Sequence, residues 1–126
     1  MMEQSMMQQM EPFLERHPGR GTLRVQVSTG QGTFPVPQAL VEVSVLVDGQ
    51  RLPLYRLRTD GSGIVDDLAL PTQAKSVSQN EETARGSATL YIVSVSHPGF
   101  LPLLDRTVAL FDGVETILPA NLEPTM

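Results

Sequence analysis

The sequence predicts an all-β, mostly antiparallel β-sandwich of about seven strands, preceded by an N-terminal arm. Three observations carry this reading. From Thr22 onward apolar residues recur largely with a period of two, the spacing that places alternate side chains on one face of a strand. Ten Gly and ten Pro cut the alternating runs at short intervals, as turns do. No strand–helix–strand alternation appears, which argues against a doubly wound sheet. At 126 residues the chain has room for one domain around one core.

Residues 1–20 form the arm, rich in Met and Gln and closed by His17-Pro18-Gly19-Arg20-Gly21. Met2, Met6, Met10 and Phe13 recur at helical spacing, which fits a short amphipathic helix. Pro12 and the shortness of the segment favour a flexible tail over that helix. The sandwich then occupies 21–124. Leu23, Val25 and Val27 alternate with Arg24, Gln26 and Ser28 in a half-buried strand, which the Gly and Pro of 30–37 interrupt. Ala39, Val41, Val43, Val45 and Val47 make the longest alternating run and predict a central strand ending at the Asp48-Gly49 turn.

In the next run the apolar phase changes between Leu52, Leu54 and Tyr55, which predicts a bulge near Leu54; Pro53 predicts an edge position. Asp60-Gly61-Ser62-Gly63 is a turn, and Ile64–Leu70 a strand that Pro71 stops. Residues 72–88 are polar and aperiodic, a long loop. Tyr91, Val93 and Val95 restart the alternation up to His97-Pro98-Gly99-Phe100, where Gly99 supplies a positive φ. Strands around 106–111 and 115–122 flank Asp112-Gly113.

Composition narrows the function. Nine basic against fourteen acidic residues, a net charge of -5, argue against nucleic-acid backbones and anionic membranes. The absence of Cys removes disulfides, thiolate metal sites and cysteine nucleophiles. No apolar run reaches the roughly 20 residues of a membrane span, and no basic start with an apolar core marks a standard signal peptide. Localisation is therefore left open.

The candidate chemistry reduces to structural roles. His17 and His97 are the two histidines, each followed by Pro, and a metal site would need both to converge with carboxylates. Adjacent Asp66 and Asp67 would face opposite sides of a strand, which weakens a paired-carboxylate acid/base reading. Asp60 reads as a turn former before a calcium ligand. Gly61-Ser62-Gly63 lacks the following helix of a nucleophile elbow, and Gly30-Gln31-Gly32 lacks that of a phosphate loop. The expectation is a protein without catalytic residues, metal or cofactor.

The order of signals resembles the carboxypeptidase regulatory-like domain, a relative of the transthyretin (prealbumin) and Cna B-type sandwiches. The matching pieces are Gly21–Val27, Pro37–Val43, Thr59–Gly63, Leu68–Pro71, Tyr91–Val95, Pro98-Gly99-Phe100 and a last strand closing on Asn121-Leu122. This resemblance implies a seven-stranded prealbumin-like or Ig-like sandwich. The tail Val108–Gly113 through Leu118–Leu122 is similar to accessory domains of bacterial spore cortex-lytic and other cell-wall proteins, which implies a Gram-positive spore-former. Two chemistries of relatives are not matched. The terminus Leu122-Glu123-Pro124-Thr125-Met126 departs from the Tyr-Arg-Gly-Ser signature of hydroxyisourate hydrolases, and Lys75, the single lysine, lies outside a first strand where a Lys–Asn isopeptide bond would need it.

The expected function is a non-catalytic accessory or interaction module, with a protein or cell-wall glycan as partner. Candidate interaction residues are Lys75, Gln79, Asn80, Glu81, Glu82 and Arg85 in the polar loop, and Phe34, Phe100 and Phe111 beside turns. The alternative is a structural subunit of a spore coat or phage particle, a homo-oligomer assembling through the N-terminal arm.

Overall fold

The computed structural model describes residues 10–74 and 88–125. It is all-β apart from one short helix over 10–16. Eight strands follow: β1 (Gly19–Thr29), β2 (Phe34–Pro35), β3 (Leu40–Val47), β4 (Gln50–Arg58), β5 (Ile64–Thr72), β6 (Thr89–Ser96), β7 (Leu103–Leu110) and β8 (Glu115–Leu122). The count is eight and not seven. The addition is β2, which pairs with Ser28 and Thr29. Positive φ at Gly30, Gln31 and Gly32 folds the chain back onto β1 there.

Two sheets form the sandwich. In the first, β1 is central, antiparallel to β5 and β2 and parallel to β8. The second runs in the order β4-β3-β6-β7, all antiparallel. Alternate residues of the long strands meet between the sheets: Leu23, Val25 and Val27 from β1, Val41 to Val47 from β3, Tyr91 to Val95 from β6. Burying such Val and Leu side chains contributes about 1.5–3 kcal/mol each. The β3–β4 hairpin closes on Asp48 and Gly49, both with positive φ, which matches the strand twist.

Tyrosines tie the sheets together. Tyr91 is fully buried on β6 and its hydroxyl donates to the Pro71 carbonyl at 2.6 Å; Tyr55 on β4 donates to the Ala69 carbonyl at 2.9 Å. Pro71 therefore lies inside β5 and does not stop it. As an edge strand, β5 tolerates a residue without an N–H. Burial first, and the neighbouring Tyr55 second, push the Tyr91 phenol above its usual range.

The helix is docked on this core. Phe13 is buried and Met10 packs against the cluster. His17 caps the helix: its Nδ1 donates to the Phe13 carbonyl at 2.7 Å and its ring stacks on Phe13 at 4.1 Å. β1 begins at Gly19, where the sequence reading placed the arm up to residue 20.

Three bulges interrupt the ladders. One leaves Leu54 unpaired between Pro53 and Tyr55, at the predicted place, on the predicted edge strand. A second sets Asp66 and Asp67 opposite Arg24 alone, with Asp67 at φ 56. Both carboxylates are exposed, contrary to the expected opposite faces, because the inserted residue breaks the period of two. The third sets Leu104 and Asp105 opposite Ser94, with Asp105 at φ 58.

Candidate interaction surface

Strand pairing alone maps the outer face of the second sheet, because residues in register share a face. Arg58 lies beside Leu40 and Ser96, Arg56 beside Glu42 and Ser94, Pro53 beside Ser44 and Ile92, and Arg51 beside Leu46. Leu46 and Leu90 on this face are each 57% exposed. Such a surface is unusual in its charge. The edge strand β4 carries Arg51, Arg56 and Arg58 and no acid, in a chain whose net charge is -5.

A groove of about 810 Å³ runs across this face. Its lining is mixed: Ser44 and Ser94 lie between Glu42 and Arg56 on one side and Leu104 and Asp105 on the other, with Pro53, Leu54 and Tyr55 of β4 beside them. Arg51 reaches across β3 and β6 to pair with Asp105 on β7, and the Ser94 hydroxyl accepts the Asp105 N–H at 3.1 Å. An exposed pair of this kind contributes under about 1 kcal/mol to stability, so its fixed position matters more for recognition than for folding. Arg56 makes no ion pair with any described residue. Its guanidinium keeps five donors for a carboxylate or carbonyl.

The sequence-predicted residues are elsewhere. Lys75, Gln79, Asn80, Glu81, Glu82 and Arg85 lie outside the described residues. The aromatic candidates are split between the two ends of the sandwich. Phe34, 62% exposed, and the half-buried Phe100 stand at the end with the 30–33, 59–63 and 97–102 turns. Phe111, 38% exposed, stands on the opposite end, the side of the helix. None of the three lines the groove.

The titratable candidates are tied into local structure. His97 donates from Nδ1 to the Pro98 carbonyl at 2.7 Å and meets Phe100 edge-on at 5.5 Å. His17 caps the helix near the other end. Asp60 makes the expected turn: Oδ1 accepts from the N–H groups of Ser62 at 2.8 Å and Ile64 at 3.0 Å. Asp66 pairs with Arg24 at 3.6 Å. Among the described residues no three His, Cys, Asp or Glu side chains stand together to hold a metal, and no helix there is long and apolar enough to cross a membrane.

Sequence reasoning missed the groove because its defining residues, Arg51, Arg56 and Asp105, are scattered over two strands at opposite edges of the sheet. The available signal was the run of three arginines without an acid in 50–58.

No protein-family model matches the chain, and no curated protein matches it. Among solved structures it is similar to chlorocatechol 1,2-dioxygenase from Pseudomonas putida, with 14% identity and a TM-score of 0.54. The match covers 83% of this chain and 60% of that one. At this identity the likeness is one of fold.

Proposed function

We propose that this chain is a non-catalytic interaction module that holds an extended, acid-bearing protein segment in the groove on its second sheet. The observation that carries the reading is the groove itself: Ser44 and Ser94 flanked by Arg56, with the Arg51–Asp105 pair fixed across them. A carboxylate of a partner would meet Arg56 bidentately beside the fixed Arg51–Asp105 pair, and the free edge of β4 would add main-chain hydrogen bonds. The one aromatic residue of the groove lining, Tyr55, has its hydroxyl engaged by the Ala69 carbonyl of the other sheet, which favours protein over glycan.

The wider resemblance supports this role. A central β1 flanked by β5 and β8, facing a β4-β3-β6-β7 sheet, is compatible with the prealbumin-like carboxypeptidase regulatory-like domain. The likeness of the tail to accessory domains of cell-wall proteins makes a cell-wall enzyme the expected class of partner. Assembly through the arm is less favoured, since Met10 and Phe13 are packed on their own core.

Panning a random peptide library on the immobilised protein tests the reading. Enrichment of Asp and Glu at alternating positions, lost in an Arg51→Glu/Arg56→Glu variant, is the expected outcome. Retention on purified peptidoglycan without peptide enrichment would overturn it in favour of a glycan. Turnover in a broad hydrolase screen that Asp66→Asn or His97→Ala abolishes would overturn its non-catalytic part.

A further inference from the structure

The sandwich is open along one side, where the last strand of the second sheet, β7, faces the β8 edge of the first. A cleft of about 240 Å³ lies there. Its walls are apolar at Val93, Val95, Leu103, Leu118 and Ala120, and polar at Asn121 and Arg106. Val93, Val95 and Ala120 are core residues almost without exposure, so the cleft ends on the closed surface of the hydrophobic core.

One charged side chain belongs to this cleft. Arg106 is in register with Val93, so it projects from the inner face of β7, and it lines the opening. No described carboxylate pairs with it. The two acids closest in sequence to the cleft are engaged elsewhere. Asp105 points to the outer face and holds Arg51, and Glu123 accepts from the Asn121 amide at 3.3 Å. An arginine on an inward position, unpaired and at the mouth of an apolar cleft, supplies both halves of an amphiphile site. The guanidinium takes a carboxylate bidentately and the cleft takes the chain.

We infer that the β7–β8 cleft binds a medium-chain aliphatic carboxylate, with Arg106 on its carboxylate. The volume falls just below the range of about 300–1,000 Å³ usual for drug-sized ligands, which limits the chain to medium length. Net repulsion from a protein of charge -5 makes non-specific uptake of such an anion unfavourable, and Arg106 is what the site adds. The competing role is that of an edge guard, since an inward-pointing charge also keeps an open strand from pairing with another chain. This site is separate from the groove on the outer face, and neither depends on the other.

Titration of the full chain with octanoate and with octanol, followed by amide chemical shifts and calorimetry, separates the two roles. Saturable octanoate binding with shifts centred on Val93, Val95 and Ala120 is expected, with octanol about tenfold or more weaker. Arg106→Gln should weaken octanoate by a similar factor and leave octanol unchanged. Arg106→Lys should recover part of the loss. Because Arg106 is exposed, both variants should fold, which circular dichroism checks. Three outcomes overturn the proposal: no saturable octanoate binding, equal binding of octanoate and octanol, or octanoate binding indifferent to Arg106→Gln. Any of them leaves Arg106 as an edge guard.

Discussion

Replacing Gly63 by Ala tests how the turn at 60–63 is locked to the first sheet. Gly63 has φ 76, and a Cβ built on it would lie 2.3 Å from the Val27 carbonyl oxygen and 3.0 Å from the Val36 nitrogen. Both atoms belong to a short relay. The Val27 N–H donates to the Gly63 carbonyl at 2.7 Å, and the Val36 N–H donates to the Val27 carbonyl at 3.0 Å. The left-handed backbone costs an alanine about 1–2 kcal/mol. Moving β1 away weakens two hydrogen bonds worth about 1 kcal/mol each. The sum is about 3–4 kcal/mol, a fall in melting temperature of roughly 10–20 °C for a domain of this size. Two controls isolate the causes. Gly32 has φ 87 but open space around a Cβ, so Gly32→Ala should cost about 1–2 kcal/mol from the backbone alone. Gly61 has open space and no positive φ, so Gly61→Ala should be neutral or slightly stabilising. Urea unfolding of the three variants gives the ranking. If Gly63→Ala cost no more than Gly32→Ala, the close approach to Val27 would not be a constraint and the reasoning would fail.

The buried Thr59 hydroxyl donates to the Val36 carbonyl at 2.7 Å and accepts the Ala39 N–H at 2.9 Å. Thr59→Val should therefore cost about 2–4 kcal/mol by orphaning both groups, and Thr59→Ser, which keeps the hydroxyl, should lose clearly less in the same urea assay. Because the Tyr91 phenol is pushed up on folding, its contribution is intact below the unfolded value near 10 and declines as pH rises beyond it. The slope approaches about 1.4 kcal/mol per pH unit; urea midpoints between pH 8 and 11 should show it, and Tyr91→Phe should flatten it. Arg51→Ala should leave the melting temperature within roughly 2–3 °C, since the Arg51–Asp105 pair is exposed, while abolishing peptide enrichment; a large stability loss would make the pair structural.

The strands were legible because burial and period coincide in them. Ala39–Val47 alternates without interruption, and β3 is central as that run requires. Leu54 betrayed its bulge because an apolar residue on each side fixes the phase. The bulges at Asp66-Asp67 and Leu104-Asp105 were hidden for the opposite reason. Each carries an acidic residue, which the period of two reads as an ordinary outward position. Their trace is a change of apolar phase, from Val65 to Leu68 and from Leu103 to Val108. Phe34-Pro35 was unreadable as a strand because it is exposed and makes only a two-residue ladder, set by the glycine turn before it. The proposed surfaces were the least legible part. Both are built from single residues that come together only through strand order.

The Asp105 bulge joins those two surfaces. Val95 is in register with Leu103, so an unbroken ladder would put Asp105 beside Val93, facing the core. The inserted residue instead turns Asp105 to the outer face, where it meets Arg51, and leaves Arg106 as the inward residue of β7. Asp67 shows the same logic on β5. There the insertion sets Leu68 opposite Leu23, a place that Asp67 would otherwise take. Aspartate suits both positions because it tolerates the left-handed region better than most side chains do. At β5 the gain is a dry core. At β7 the residue kept at the core margin is a cation, in place either to meet an anion in the cleft or to keep the open edge from pairing. The bulge thus places opposite charges on opposite faces of one strand, a carboxylate for the groove and a guanidinium for the cleft.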